Sequence, residues 1–143
     1  MPGTALFVAG ALAQLVQPAR SERFVVIRAA ATKQHMLNRE EAKLVFSGRT
    51  KTWDDGEAIV LVIGSEDSPA MHWMSDALFG VTPKIILTKL KQDTFRGELR
   101  HPLSADDDAH TIRRVQSGRG VVGLVSEATA RTLPSDVTIV GIR

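Results

Sequence analysis

The chain has 143 residues, 43% of them apolar, 24% charged and 5% aromatic, which is the size and composition of one ordinary domain. Eighteen Lys and Arg against sixteen Asp and Glu leave a net charge of +2, too small an excess to imply a nucleic-acid partner. With no cysteine, the chain can hold no disulfide, thiolate metal site or catalytic thiol.

Residues 2–19 carry no charged side chain. The apolar run at 5–16, interrupted by Gly10 and Gln14, is shorter than the about 20 residues of a membrane span and has the length of a signal-peptide core. Pro18 ends it, and Ala19-Arg20-Ser21 sets small residues at the first and third positions of an A-x-A-like cleavage site. Residues 1–21 therefore read as a signal peptide and 22–143 as the mature domain, with no membrane span in it. Met1 to Thr4 lack the positive charge usual ahead of such a core, so the alternative is an amphipathic or buried first helix.

Beyond the leader, residues 20–51 hold eight basic side chains against Glu22, Glu40 and Glu41, and residues 53–83 hold six acidic ones with no Lys or Arg. Residues 23–28 form a β-branched and aromatic run of strand length. Asn38 can cap a helix, Glu41 can reach back to it, Leu37 can staple to Ala42, and Gly48 can close the helix. After the turn Asp54-Asp55-Gly56, the apolar run 58–63 predicts a strand buried on both faces. Ser68 and Pro69 open a second helix that Gly80 ends, with Met71, Met74, Leu78 and Phe79 at helical spacing. Thr82-Pro83 restarts a helix bearing Ile86 and Leu90, and a polar loop with Gly97 and Pro102 follows. Asp106, Asp107 and Asp108 put negative charge at the start of a helix with the apolar stripe Ala109, Ile112 and Val115, ending at Gly118. Residues 121–125 and 137–142 are the last two strands. Strands separated by helices predict an α/β layer around a mixed or parallel sheet.

Most chemical motifs fall away on inspection. Residues 118–123 spell G-x-G-x-x-G, but a dinucleotide fingerprint follows a strand and opens a helix, and here the order is reversed. His35, His72, His101 and His110 have no metal-ligand spacing, and His72 pairs more simply with Asp76 one helical turn on. No nucleophile elbow and no Ser, His and acid arrangement is present, so no catalytic residue, metal or cofactor is assigned. Asp106 to Asp108 lack the ligand alternation of a cation loop.

One constellation carries a resemblance. Leu37 to Gly56, a capped helix running through Val45-Phe46-Ser47-Gly48-Arg49 to Trp53-Asp54-Asp55-Gly56, resembles the Ile-Phe-x-Gly-Lys helix, Trp and acidic turn of the phosphate-binding proteins of ABC transporters. Downstream, Gly64-Ser65-Glu66-Asp67-Ser68-Pro69 falls where that family has its Arg-x-x-x-Ser-Gly-Thr anion loop. Phe95-Arg96-Gly97 resembles its Phe-x-Gly, and Gly120 to Val125 resembles its Pro-Gly-x-Ile-Gly-Tyr-Val strand. The matches keep their order over residues 37–125.

The resemblance implies a single lobe of a type 2 periplasmic-binding-protein fold, equivalent to the second lobe together with a strand leading into it, where the family has two lobes closing on the anion. Gly64 stands at the family's anion-binding arginine, and Pro69 and Ala70 replace its Gly-Thr. The implied function is an exported, periplasmic, non-catalytic module binding phosphate or a similar small oxyanion weakly. Its site would comprise Ser65, Asp67, Ser68, Ala70 and Met71, with the N–H groups of Ser68, Ala70 and Met71 unbonded at the helix start. Glu66 and Asp67 oppose a dianion there. The alternative is a sensory or accessory module that docks on an envelope transporter or sensor protein and keeps only a vestigial anion site.

Overall fold

The computed structural model describes residues 22–30 and 36–142, so the expected signal peptide at 1–21 and His35 lie outside the described residues. In chain order the elements are β1 (Phe24–Ala29), α1 (Arg39–Phe46), β2 (Val60–Ile63), α2 (Pro69–Met74) continuing into a π-helical turn (Ser75–Phe79), α3 (Pro83–Phe95), β3 (Leu103–Ser104), α4 (Asp108–Gln116), β4 (Val121–Ser126), α5 (Glu127–Ala130) and β5 (Val137–Val140).

Local chemistry sets the helix ends. The Glu41 N–H donates to Asn38 Oδ1 at 2.8 Å while the Asn38 N–H donates to Glu41 Oε1 at 2.9 Å, a reciprocal capping box. Gly48 and Gly80 close their helices at φ values of 80° and 66°, in the left-handed region. The second helix departs from a uniform α-helix. Ser75 Oγ donates to the Met71 carbonyl at 2.8 Å, and the Gly80 N–H closes on the Ser75 carbonyl five residues back, so the last turn widens.

The five strands form one sheet in the order β3-β2-β4-β1-β5. β2 runs parallel to β3 and β4, whereas β1 is antiparallel to both β4 and β5, a mixed sheet as expected. Alternation along the strands divides the core between two faces. Val26, Leu61, Val122 and Leu124 face one way, packing with Ala42, Val45 and Phe46 of α1, Met71 and Met74 of α2, and Ile86 and Leu90 of α3. Ile27, Val62, Val121 and Val125 face the other, against Val115 of α4.

Three details differ from the sequence reading. The two-residue strand β3 falls in what reads as a loop, and the single turn α5 follows β4 without a linker. On α4 the inward positions are Thr111, Ile112 and Val115, with Ala109 exposed, because Thr111 sets its γ-methyl against the bare backbone of Gly123 in β4.

Candidate ligand-binding cleft

Because β2, β3 and β4 are parallel, their carboxyl ends share one edge of the sheet, and each leads into a helix start. Ligands of open α/β sheets collect at that edge. A cleft of about 390 Å³ lies there. It is lined by the apolar Phe24, Ile63, Met71, Met74 and Leu124 and by the acidic Glu22, Asp106, Asp107 and Asp108.

Of the five residues singled out from the sequence, Ser68, Ala70 and Met71 line this cleft, whereas Ser65 and Asp67 sit in the exposed turn before α2. The expectation that three amides stand open at the start of α2 needs correction. The Ser68 N–H donates to the Ser65 carbonyl at 3.1 Å and the Met71 N–H to Ser68 Oγ at 3.3 Å, because Ser68 serves as the helix cap. Pro69 has no N–H. Ala70 alone in this turn keeps an N–H without a protein acceptor among the described residues. Gly64 is required by close approach: a Cβ there would collide with Ser68 Oγ and lie 3.0 Å from Ser68 Cβ.

The chain's own carboxylates take donors at the adjoining starts of α4 and α5. Asp107 Oδ1 accepts the His110 N–H at 2.8 Å. Asp108 Oδ2 accepts three bonds: from the Ser126 N–H at 3.1 Å, from Ser126 Oγ at 2.8 Å and from Thr129 Oγ1 at 2.6 Å. The Asp106 carboxylate is exposed, with its N–H donating to His110 Nδ1 at 3.2 Å. Among the described residues no Lys or Arg lines the cleft. Among the described residues no group of His, Asp and Glu is placed to hold a metal ion.

Glu22, Phe24, Leu124 and the three aspartates as cleft residues escaped the sequence reading. Asp106 to Asp108 were legible as a helix start, but their placement in one cleft with Ser68 depends on the parallel pairing of β2 with β3 and β4, which no local pattern encodes. The G-x-G-x-x-G segment behaves as a helix end entering a strand. Its Gly120 carbonyl accepts the Val60 N–H at 3.1 Å and Trp53 Nε1–H at 3.0 Å, at the far end of the sheet from the cleft.

A mixed five-stranded sheet flanked by helices, with a cleft at the carboxyl ends of its parallel strands, is a single lobe of the type 2 periplasmic-binding-protein fold. Solved structures agree. The chain is similar to an ABC-type phosphate transport receptor from Vibrio cholerae (TM-score 0.63, 13% identity, 85% of this chain and 46% of that one). It is similar also to PstS from Borrelia burgdorferi (TM-score 0.64, 11% identity, 85% and 47%). A third such structure, from Clostridium perfringens, is described as a phosphate ABC transporter substrate-binding protein with bound phosphate (TM-score 0.62, 15% identity, 85% and 45%). The chain thus spans about half the length of these proteins, and identities this low establish the fold alone. No family model matches the chain, and no curated protein does.

Proposed function

We propose that this chain is a non-catalytic binding module that acts through the cleft between the starts of α2 and α4. The observation that carries the reading is the cleft itself: about 390 Å³, apolar in part of its lining, at the sheet edge where this fold places ligands. The similar structures are phosphate transport proteins, which supports a solute-binding ancestry.

A small oxyanion would find the Ala70 N–H and the positive end of α2 in this cleft, with no cationic side chain among the described residues and with Glu66, Asp67 and Asp106 nearby. Weak binding follows, with a dissociation constant of roughly 0.1 to 10 mM. The accessory reading, a module docking on a protein partner such as an envelope transporter or sensor, is favoured by a specific observation. Asp107 and Asp108 already accept from the His110 N–H and from the Ser126 and Thr129 donors, bonds that an anion at the adjoining helix starts could otherwise use. An NMR titration with phosphate to tens of millimolar, against sodium chloride, separates the two. The oxyanion reading expects the Ala70 amide to move first; an unmoved Ala70 leaves the docking reading.

Export belongs to the same proposal. Cleavage after Ser21 would release residues 22–143 into the periplasm, and N-terminal sequencing of protein from the envelope should begin near Glu22. An intact N-terminus recovered from cytoplasm would overturn it. Among the described residues no helix is long and apolar enough to cross a membrane.

A further inference from the structure

The outward side of α3 has no partner among the described residues. Lys84, Thr88, Lys91 and Phe95 follow at four- and three-residue steps along one stripe, beside Ile85, and all five are exposed. Phe95 is 93% exposed, at the last helical position. An aromatic ring so placed contributes nothing to the core. The only carboxylate of α3, Asp93, is turned inward and held by Lys89 Nζ at 2.7 Å. Lys84 and Lys91 form no salt bridge among the described residues, and Arg96 lies close enough to Asp93 to help lower its pKa, so the stripe remains apolar with a surplus of positive charge.

The cleft has the opposite character. Its rim carries Glu22 and Asp106, with Glu66 and Asp67 in the adjacent turn, and its apolar lining includes Phe24, Met71 and Met74. The two surfaces lie apart. The cleft is at the carboxyl end of β2, whereas the loop that follows Phe95 packs at the other end, with Lys51 Nζ donating to the Glu98 carbonyl and the Lys51 carbonyl accepting the Ile59 N–H just before β2.

We propose that the α3 stripe ending in Phe95 docks in the cleft of a second copy of this chain. The inference rests on the docking reading of the cleft and names its partner. Phe95 enters the cleft beside Pro69, Ala70 and Ala109, and Lys91 and Arg96 face Glu22 and Asp106 of the receiving copy. Charge complementarity selects this occupant: the surplus cations and the surplus carboxylates are both present on one chain whose net charge is only +2. Two different patches meet, so the contact is heterologous, and each copy offers a free stripe and a free cleft for growth head to tail.

Sedimentation of the full chain tests this. The weight-average mass should rise between about 10 μM and 1 mM, the range of a weak interface, and fall back as salt is added. Phe95→Asp, at a fully exposed position, removes the stripe; the double variant Glu22→Lys with Asp106→Lys reverses the rim, again at exposed side chains. Each alone should remain monomeric. Mixed in equal amounts they should give a 1:1 dimer that grows no further, because each retains the half the other lacks. A parent that stays monomeric to 1 mM, a Phe95→Asp variant that assembles like the parent, or a mixture that stays monomeric would each overturn the proposal. The binding reading of the cleft is judged separately, by the response of the Ala70 amide to phosphate in the monomeric Phe95→Asp variant.

Discussion

The guanidinium of Arg28 lies over the Trp53 ring, with its central carbon 4.2 Å from the ring centroid. Arg28 is 4% exposed, an unusual burial for a charged side chain. Its Nη2 donates to the Asp55 carboxylate at 3.3 Å and to the Arg119 carbonyl at 3.1 Å, and Trp53 Nε1 donates to the next carbonyl, that of Gly120. The pair therefore ties the 53–55 turn to the start of β4. Arg28 Nε is buried with no partner among the described residues, so part of the gain is forfeited.

Removing this side chain should be costly. Arg28→Ala forfeits a desolvated cation–π contact and a charge-assisted hydrogen bond, and leaves Asp55 without its cation. The expected loss is about 2 to 4 kcal/mol, read from urea unfolding with an unchanged m-value. A midpoint within error of the parent would show that the guanidinium is held in place by its surroundings and adds no stability.

Acid should act through the same cluster. The Glu57 N–H donating to Asp55 Oδ1, followed by the nearby Arg28 cation, holds the Asp55 carboxyl below its ordinary value. A depressed folded-state pKa favours the folded chain wherever the unfolded carboxyl is ionised. The contribution is present above about pH 4 and is lost as pH falls through the lower folded-state value. Asp93 is lowered in the same sense, first by its hydrogen bond from Lys89, so it adds to the same acid limb. Comparing parent and Asp55→Asn by urea midpoint, the gap should be steady near neutral pH and should narrow below pH 4. A constant gap down to pH 2 would rule out the linkage.

The features legible in the sequence are those written in a few adjacent residues. Asn38 with Glu41, Ser68 with Pro69, and the glycines at 48 and 80 fixed helix ends because caps act over three or four residues. β3 was invisible because two residues cannot display a period, and its strand character comes from pairing Leu103 with Val62. The same limit hid the cleft: Ser68 was recognisable as a helix start, but Asp108 bridging to Ser126 and Thr129 joins residues 18 and 21 positions apart. The contact of Arg28 with Trp53 is likewise a product of topology.

The Phe46 ring is fully buried among α1, β2 and β4 side chains, as its spacing from Ala42 on α1 predicts. Phe46→Ala should cost about 3 to 5 kcal/mol, the transfer of the ring together with the cavity it leaves. The fold should survive, with a lower denaturation midpoint and an intact far-ultraviolet dichroism spectrum. A loss under 1 kcal/mol would mean that neighbours collapse into the space, and filling of the site by a small apolar probe would then be absent.

Gly64 and Ser68 should prove energetically coupled. Ser68→Ala removes the cap bond to the Met71 N–H and should cost about 1 kcal/mol. Gly64→Ala should also destabilise, because its Cβ would meet Ser68 Oγ and displace the hydroxyl from the cap. Gly64→Arg, the substitution suggested by the sequence resemblance to phosphate-binding proteins, suffers the same collision at Cβ before its guanidinium can reach the cleft. It should therefore lose as much stability as Gly64→Ala and gain little affinity for phosphate. The decisive comparison is a double-mutant cycle by urea unfolding. Once Ser68 has lost its hydroxyl, Gly64→Ala should cost measurably less than in the parent, since the nearest atom is gone and only Ser68 Cβ at 3.0 Å still presses on the new methyl. Strictly additive losses would place the cost of a side chain at Gly64 elsewhere, in the backbone path from β2 into α2.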